Sequence, residues 1–109
     1  MRDQIEAVEF YWRRGCGFCF ALDRSLSKRG IPMDKHNIWE EPLAAEFVRS
    51  ATNGAETVPT IRVGSVTLVN PSPKSVLAAI ESEAPHLLPA EEVAESESPG
   101  LLARLLGRN

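Results

Sequence analysis

The chain has 109 residues, enough for one domain with its own hydrophobic core. Apolar residues make up 43% and charged residues 25%, the balance of a globular chain rather than a disordered one. A formal net charge of -3 leaves no basic excess to attract nucleic acid, and no apolar run approaches the roughly 20 residues that span a bilayer.

The first residues lack the apolar stretch of a secretory signal, so the expected location is cytoplasmic. Residues 7–12 are rich in β-formers and predict a strand, which Arg13-Arg14-Gly15 breaks. From 16 to 29, Phe18, Cys19, Leu22 and Leu26 recur at helical spacing. Gly30 reads as the C-cap and Pro32 as the stop. Residues 33–38 form a weaker strand candidate. Residues 40–52 predict a helix with Leu43, Phe47 and Val48 as its apolar face, ended by Asn53-Gly54.

Residues 60–63 and 66–69 are two short β runs separated only by Gly64-Ser65, the pattern of a tight hairpin. Asn70-Pro71-Ser72-Pro73 then leads into a helix over 74–83, with Val76, Leu77 and Ile80 on one face. The order is β-α-β-α-β-β-α. An early strand–helix–strand unit implies a parallel pair and the late hairpin an antiparallel one. The expected architecture is therefore α/β, a four-stranded mixed sheet with flanking helices.

Composition changes at Pro85. From there to Gly100 the chain carries Glu91, Glu92, Glu95, Glu97 and few large apolar residues. We expect a domain over 1–84 and a poorly ordered acidic linker over 85–109, ending in a short amphipathic segment around Leu101-Leu102-Ala103-Arg104-Leu105-Leu106.

The chemistry concentrates at Cys16-Gly17-Phe18-Cys19, where the first strand gives way to the first helix. A cysteine at a helix N-terminus faces unpaired backbone N–H groups and the positive end of the helix dipole, both of which favour thiolate. Thiolate is the attacking species in disulfide exchange. Arg13 and Arg14 add to the positive field. Cys16 is thus the candidate nucleophile and Cys19, one turn inside, the candidate resolving thiol. The competing reading is half of a zinc site. Zinc usually takes four ligands, and this chain has no second cysteine pair, only His36 and His86 outside a metal-like spacing, so no metal is expected unless two subunits share an ion.

Two further signals stand beside it. Thr57-Val58-Pro59 precedes the third strand, and taken alone its X–Pro bond would more often be trans. Ser72 with Pro73 looks like a helix N-cap and first-turn proline. A helix start of that kind can receive a carboxylate, although a plain cap explains it as well.

Together these segments resemble the glutaredoxin family, within the thioredoxin fold, over about residues 6–83. The resemblance rests on the Cys16–Cys19 motif, on Thr57-Val58-Pro59-Thr60 and on the element order. It implies a cis Val58–Pro59 bond beside the active cysteines. Residues 44–54 and the run Thr67-Leu68-Val69-Asn70-Pro71-Ser72 look most like the actinobacterial mycoredoxins, which reduce mixed disulfides between proteins and mycothiol. Asn70-Pro71-Ser72 stands where typical glutaredoxins have Gly-Gly and an acidic residue, which favours mycothiol over glutathione. Gly17-Phe18 departs from the commoner Gly-Tyr or Pro-Tyr.

The resemblance implies a thiol–disulfide oxidoreductase with no bound cofactor and with mycothiol or glutathione as co-substrate. Its partners would be a low-molecular-weight thiol and thiolated client proteins, and the protein would be a monomer. The small thiol would lie on Arg13, Arg14, Phe18, Thr57, Val58, Pro59, Asn70, Pro71 and Ser72. Two rivals share the motif. One is a redoxin coupled to thioredoxin reductase, against which Val69-Asn70-Pro71-Ser72 counts because such redoxins carry Trp-Ser-Gly-Phe there. The other is a non-enzymatic iron–sulfur or metal carrier using Cys16.

Overall fold

The structure, a computed structural model, describes residues 4–89. The order is β1 (Val8–Trp12), α1 (Gly17–Lys28), β2 (Met33–Asn37), α2 (Pro42–Ala51), β3 (Thr60–Val63), β4 (Val66–Val69) and α3 (Pro73–Glu83). The four strands form one sheet in the order β2-β1-β3-β4. β1 runs parallel to β2, with Val8 opposite Met33, and antiparallel to β3, with Phe10 opposite Ile61. β3 and β4 close the hairpin across Gly64-Ser65, with Val63 opposite Val66. The fold is α/β with the mixed sheet and element order read from the sequence.

Alternation along β1 divides the molecule, because successive strand side chains point to opposite faces. Val8 and Phe10 join Ile61 and Val63 against Leu22 and Leu26 of α1 and Val76 and Ile80 of α3. Tyr11 points the other way and packs with Ile38, Ala44, Ala45 and Val48 beneath α2. The first cluster is the larger, and each fully buried Leu, Ile or Phe in it contributes about 1.5–3 kcal/mol. That packing fixes the C-terminal end of β1, and so the place where the chain turns into Cys16.

The helix faces differ in detail from those read in the sequence. In α1 the buried residues are Cys19, Leu22 and Leu26, while Phe18 is 73% exposed. In α2 the buried stripe is Ala44, Ala45 and Val48, with Phe47 half-buried, and Leu43 is 79% exposed. Small residues lie against the sheet because α2 sits over the aromatic ring of Tyr11. In α3 Ala79 joins Val76 and Ile80, and Leu77 is only half-buried.

The end of α1 is closed by backbone bonds, among them Arg29 N–H to Leu26 O at 3.1 Å. Ile31 N–H donates to Leu26 O at 3.1 Å and Gly30 N–H to Ser27 O at 3.0 Å. Arg29 is the C-cap and Gly30 the residue beyond it, at φ 75°, where a glycine has no steric penalty.

Residues 85–89, read from sequence as the start of the linker, pack on the domain. Pro85–Leu87 is a 3-10 turn, Leu87 lies in the main core, and Leu88 packs against it. His86 Nε2 is 2.7 Å from the carbonyl of Ile5. The remainder of the linker and the leucine-rich segment at 101–106 lie outside the described residues. Among the described residues no helix is long and apolar enough to cross a membrane.

Candidate active site

Cys16 is the N-cap of α1, in extended backbone conformation (φ -94°, ψ 103°). Its position follows from Arg13-Arg14-Gly15, which turns the chain out of β1 before the helix starts. Cys16 Sγ accepts a hydrogen bond from the Cys19 backbone N–H at 3.0 Å. That N–H is one of the first-turn donors a helix leaves unpaired, so the sulfur takes the role a serine or aspartate oxygen plays at other helix starts. Cys16 and Cys19 are joined as a disulfide, with their Cα atoms 5.2 Å apart. Cys19 is buried in the main core and Cys16 only half-buried, so the more accessible sulfur is at the helix cap.

Val58 O lies 3.8 Å from Cys16 Sγ. The Val58–Pro59 bond is cis, as the resemblance implies and contrary to the isolated reading of that proline. The segment is held at both ends. Thr60, fully buried, donates its hydroxyl to Thr57 O at 2.8 Å. Pro59 O accepts from Asn70 N–H at 2.7 Å. Asn70 sits at φ 52° and leads into Pro71 and the cap Ser72, whose Oγ accepts from Ser75 N–H at 3.1 Å. Cys16, Val58, Pro59 and Asn70 are therefore linked in one continuous run.

The other predicted thiol contacts are elsewhere. Arg13 and Arg14 line a cavity of about 640 Å³ together with Trp12, Cys16, Cys19, Phe20 and Lys35. None of Thr57, Val58, Pro59, Asn70, Pro71 or Ser72 lines it. The predicted contacts thus divide into two groups, both reaching Cys16. Phe18 belongs to neither and projects into solvent. Trp12, Phe20 and Lys35 went unassigned in the sequence. Phe20 carried a signal, since it falls off the Cys19-Leu22-Leu26 stripe yet is large and apolar, and it is 68% exposed at the cavity. Lys35 carried none, because only the parallel pairing of β2 with β1 brings it alongside Phe10.

A second polar cluster lies on the α2 side of the sheet. Ligand-type atoms of Glu9, Asp34 and His36 all lie within 4.8 Å of one another. Both ring nitrogens of His36 already face carboxylates, Nε2 that of Glu9 at 2.6 Å and Nδ1 that of Glu41 at 2.9 Å. Tyr11 stacks on the ring at 5.0 Å. Burial by itself would lower the His36 pKa, but the hydrogen bonds to Glu9 and Glu41, with the charges of Glu41 and Asp34, outweigh it and raise it above the ordinary histidine value. Tyr11 is raised as well, chiefly by burial.

Residues 8–67 match the family model described as glutaredoxin. The chain is 37% identical over 75 residues to a glutaredoxin-named protein of Mycobacterium tuberculosis, seen in two strains, and the match covers 68% of this chain and 89% of that relative. Among solved structures, the glutaredoxin-like NrdH-redoxin of Escherichia coli is similar with a TM-score of 0.59 and 25% identity, over 67% of this chain and 93% of that one. A glutaredoxin of Archaeoglobus fulgidus aligns with a TM-score of 0.58 over 67% of this chain and 84% of that one, and its 18% identity bears on the fold alone.

Proposed function

This chain belongs to the glutaredoxin family of thiol–disulfide oxidoreductases, and from that premise we propose that it reduces mixed disulfides between proteins and a low-molecular-weight thiol, with mycothiol preferred over glutathione. The observation that carries the proposal is Cys16 at the cap of α1, accepting the Cys19 N–H and facing Val58 O. A sulfur in that position is stabilised as thiolate by the N–H donor and the helix dipole.

The reaction runs in two exchanges. Cys16 thiolate attacks the small-thiol sulfur of the mixed disulfide. A Cys16–small thiol bond forms, the client–sulfur bond breaks, and the client leaves as thiolate and takes up a proton. In the second exchange another small-thiol thiolate attacks the small-thiol sulfur and releases Cys16. Alternatively Cys19 thiolate attacks Cys16 Sγ, expels the small thiol and leaves the Cys16–Cys19 disulfide present in the structure. Neither exchange changes the number of disulfide bonds, so no further oxidant is needed.

Backbone groups around Thr57, Val58 and Pro59 would align the small thiol, and the α3 start at Asn70-Pro71-Ser72 would receive its polar end. The cavity with Arg13 and Arg14 supplies the positive side. The departure at Asn70-Pro71-Ser72 supports mycothiol, as does the mycobacterial relative. The protein is proposed to act as a monomer in the cytoplasm on thiolated clients.

A second reading has its own support. The similar Escherichia coli structure is of a glutaredoxin-like protein with a thioredoxin-like activity profile, which favours electrons arriving from a thioredoxin reductase. One experiment separates the two. The reduced protein is given defined mixed disulfides of mycothiol and of glutathione, each with its own thiol and reductase, and in parallel a thioredoxin reductase. Turnover with mycothiol alone supports the proposal, and turnover with thioredoxin reductase alone replaces it. Cys16→Ser should abolish turnover. Cys19→Ser should retain exchange with the small thiol, and complete loss there would exclude the monothiol route.

A further inference from the structure

A groove of about 450 Å³ runs along α1, lined by Ala21, Arg24, Ser25, Lys28 and Arg29, none of which lines the cavity beside Cys16. The acid of this helix, Asp23, is already taken, by Lys35 Nζ at 2.9 Å and by the Ser27 hydroxyl at 3.0 Å. Arg24 and Lys28 are exposed and have no carboxylate partner among the described residues. The groove is therefore positive, with these two charges unmet.

Both ends of the groove are marked. At one end the chain leaves the domain, since a Cβ on Gly30, just past α1, would meet Pro89 Cγ at 3.5 Å. At the other stands Phe18, 73% exposed, a ring that neither the core nor the cavity uses. Phe18, Ala21, Ser25 and Lys28 follow one another at the i, i+3, i+7 and i+10 spacing of a single helical face. From Phe18 to Lys28 that face is about 15 Å long by helical rise.

The residues after Pro89 complement the groove in order. Residues 90–100 carry Glu91, Glu92, Glu95 and Glu97 and no lysine or arginine. The segment Leu101-Leu102-Ala103-Arg104-Leu105-Leu106 is apolar and too short to hold a helix alone in water, so it gains by packing on a surface. Residues 90–100 span up to about 36–40 Å when extended and about 17–20 Å as a coil, so Leu101 reaches Phe18 without strain.

We propose that residues 90–106 dock on α1 of their own chain, with the acidic run along Arg24 and Lys28 and the leucines against Phe18, where they cover the approach of large disulfide substrates to Cys16. Charge holds the segment along its length, so ionic strength controls the cover. The inference goes beyond the proposed reaction and holds whichever small thiol the protein uses.

The test uses the full-length chain. A water-soluble carbodiimide joins a carboxylate to an amine in contact with it, and peptide mapping of the monomer locates the bond. Cross-links from Lys28 to Glu91, Glu92, Glu95 or Glu97 are expected, at a yield independent of protein concentration. Lys35 and Lys74 should give none to those glutamates. Salt at about 1 M, where the screening length is about 3 Å, should abolish them. Arg24→Gln should cut the yield by about 1.4- to 5-fold, the range for one exposed ion pair. The second readout is the reduced chain carrying Cys19→Ser, in which Cys16 is alkylated by a polyethylene glycol maleimide and, separately, by iodoacetamide. The ratio of the two rates cancels the thiolate fraction. Leu102→Ser combined with Leu105→Ser should raise it by at least about 2-fold, as for a cover in place half the time or more.

Absence of the Lys28 cross-links, or an equal yield at Lys74, would overturn the docking. Cross-links found only between chains and rising with concentration would replace it with docking on a second copy. Lys28 cross-links together with an unchanged alkylation ratio would overturn the cover over Cys16.

Discussion

Leu87→Ala tests whether residues 85–89 are part of the domain or only its exit. Leu87 is 9% exposed and belongs to the cluster that contains Leu26, Ile31 and Ile80. Burying a leucine side chain contributes about 1.5–3 kcal/mol, and truncating one in a core costs about 2–5 kcal/mol once the cavity is included. Leu87 sits at the edge of the cluster on a short 3-10 turn that can relax inward, so the lower part of that range applies, about 2–3 kcal/mol. For a domain of this size 1 kcal/mol moves Tm by about 4–8 °C, so the expected fall is about 10–20 °C. Thermal unfolding by circular dichroism, repeated in urea, measures it. The m-value should be unchanged, which would place the effect in stability rather than compactness. A Tm shift under about 4 °C, equivalent to about 0.5–1 kcal/mol, would refute the reasoning and return residues 85–89 to the linker.

Two more outcomes follow from the geometry. His36 gains protons in the folded state because Glu9 and Glu41 face its two ring nitrogens. Its contribution to stability should be complete below the unfolded histidine value of about 6.5 and be lost as pH rises through the higher folded-state value. His36→Gln should flatten that fall in urea titrations across the interval, and an unchanged slope would show that the imidazolium is not stabilising. Gly64 begins the β3–β4 turn at φ 58°, and a Cβ there would come within 2.8 Å of Glu83 Oε1 and 2.9 Å of Ile5 Cδ1. Glu83 Oε1 also accepts from Ser65 N–H at 3.1 Å. Gly64→Ala should cost at least about 1 kcal/mol through the left-handed backbone alone, and chemical denaturation giving wild-type stability would contradict this.

Much of the site was legible before any coordinates. Cys16 at a strand-to-helix junction is a local feature, because the break at Arg13-Arg14-Gly15 and the following helical spacing place it at a cap without reference to distant residues. Ser72 capping α3 and the Gly64-Ser65 hairpin are local in the same way. The family resemblance added the cis Val58–Pro59 bond, for which the isolated dipeptide gave the opposite reading.

What escaped the sequence depended on contacts between segments far apart in the chain. Periodicity marked Leu43 and Phe18 as buried because it counts apolar residues and not their partners. The sheet decides which side of a helix is covered, and over Tyr11 it accepts Ala44 and Ala45 in preference to a leucine. The acidic composition after Pro85 masked Leu87, whose burial needs a surface supplied by α1 and α3. The division of the predicted thiol contacts into two groups likewise depends on how β2 lies beside β1 and how Asn70 bonds to Pro59 O. The sequence by itself determined the element order, the helix starts at Cys16 and Ser72 and the two sulfurs, since each arises from residues within a few positions of one another. Only the tertiary structure decided which side chains surround those sulfurs, because a cavity wall is assembled from strands and loops that meet only when the core has packed.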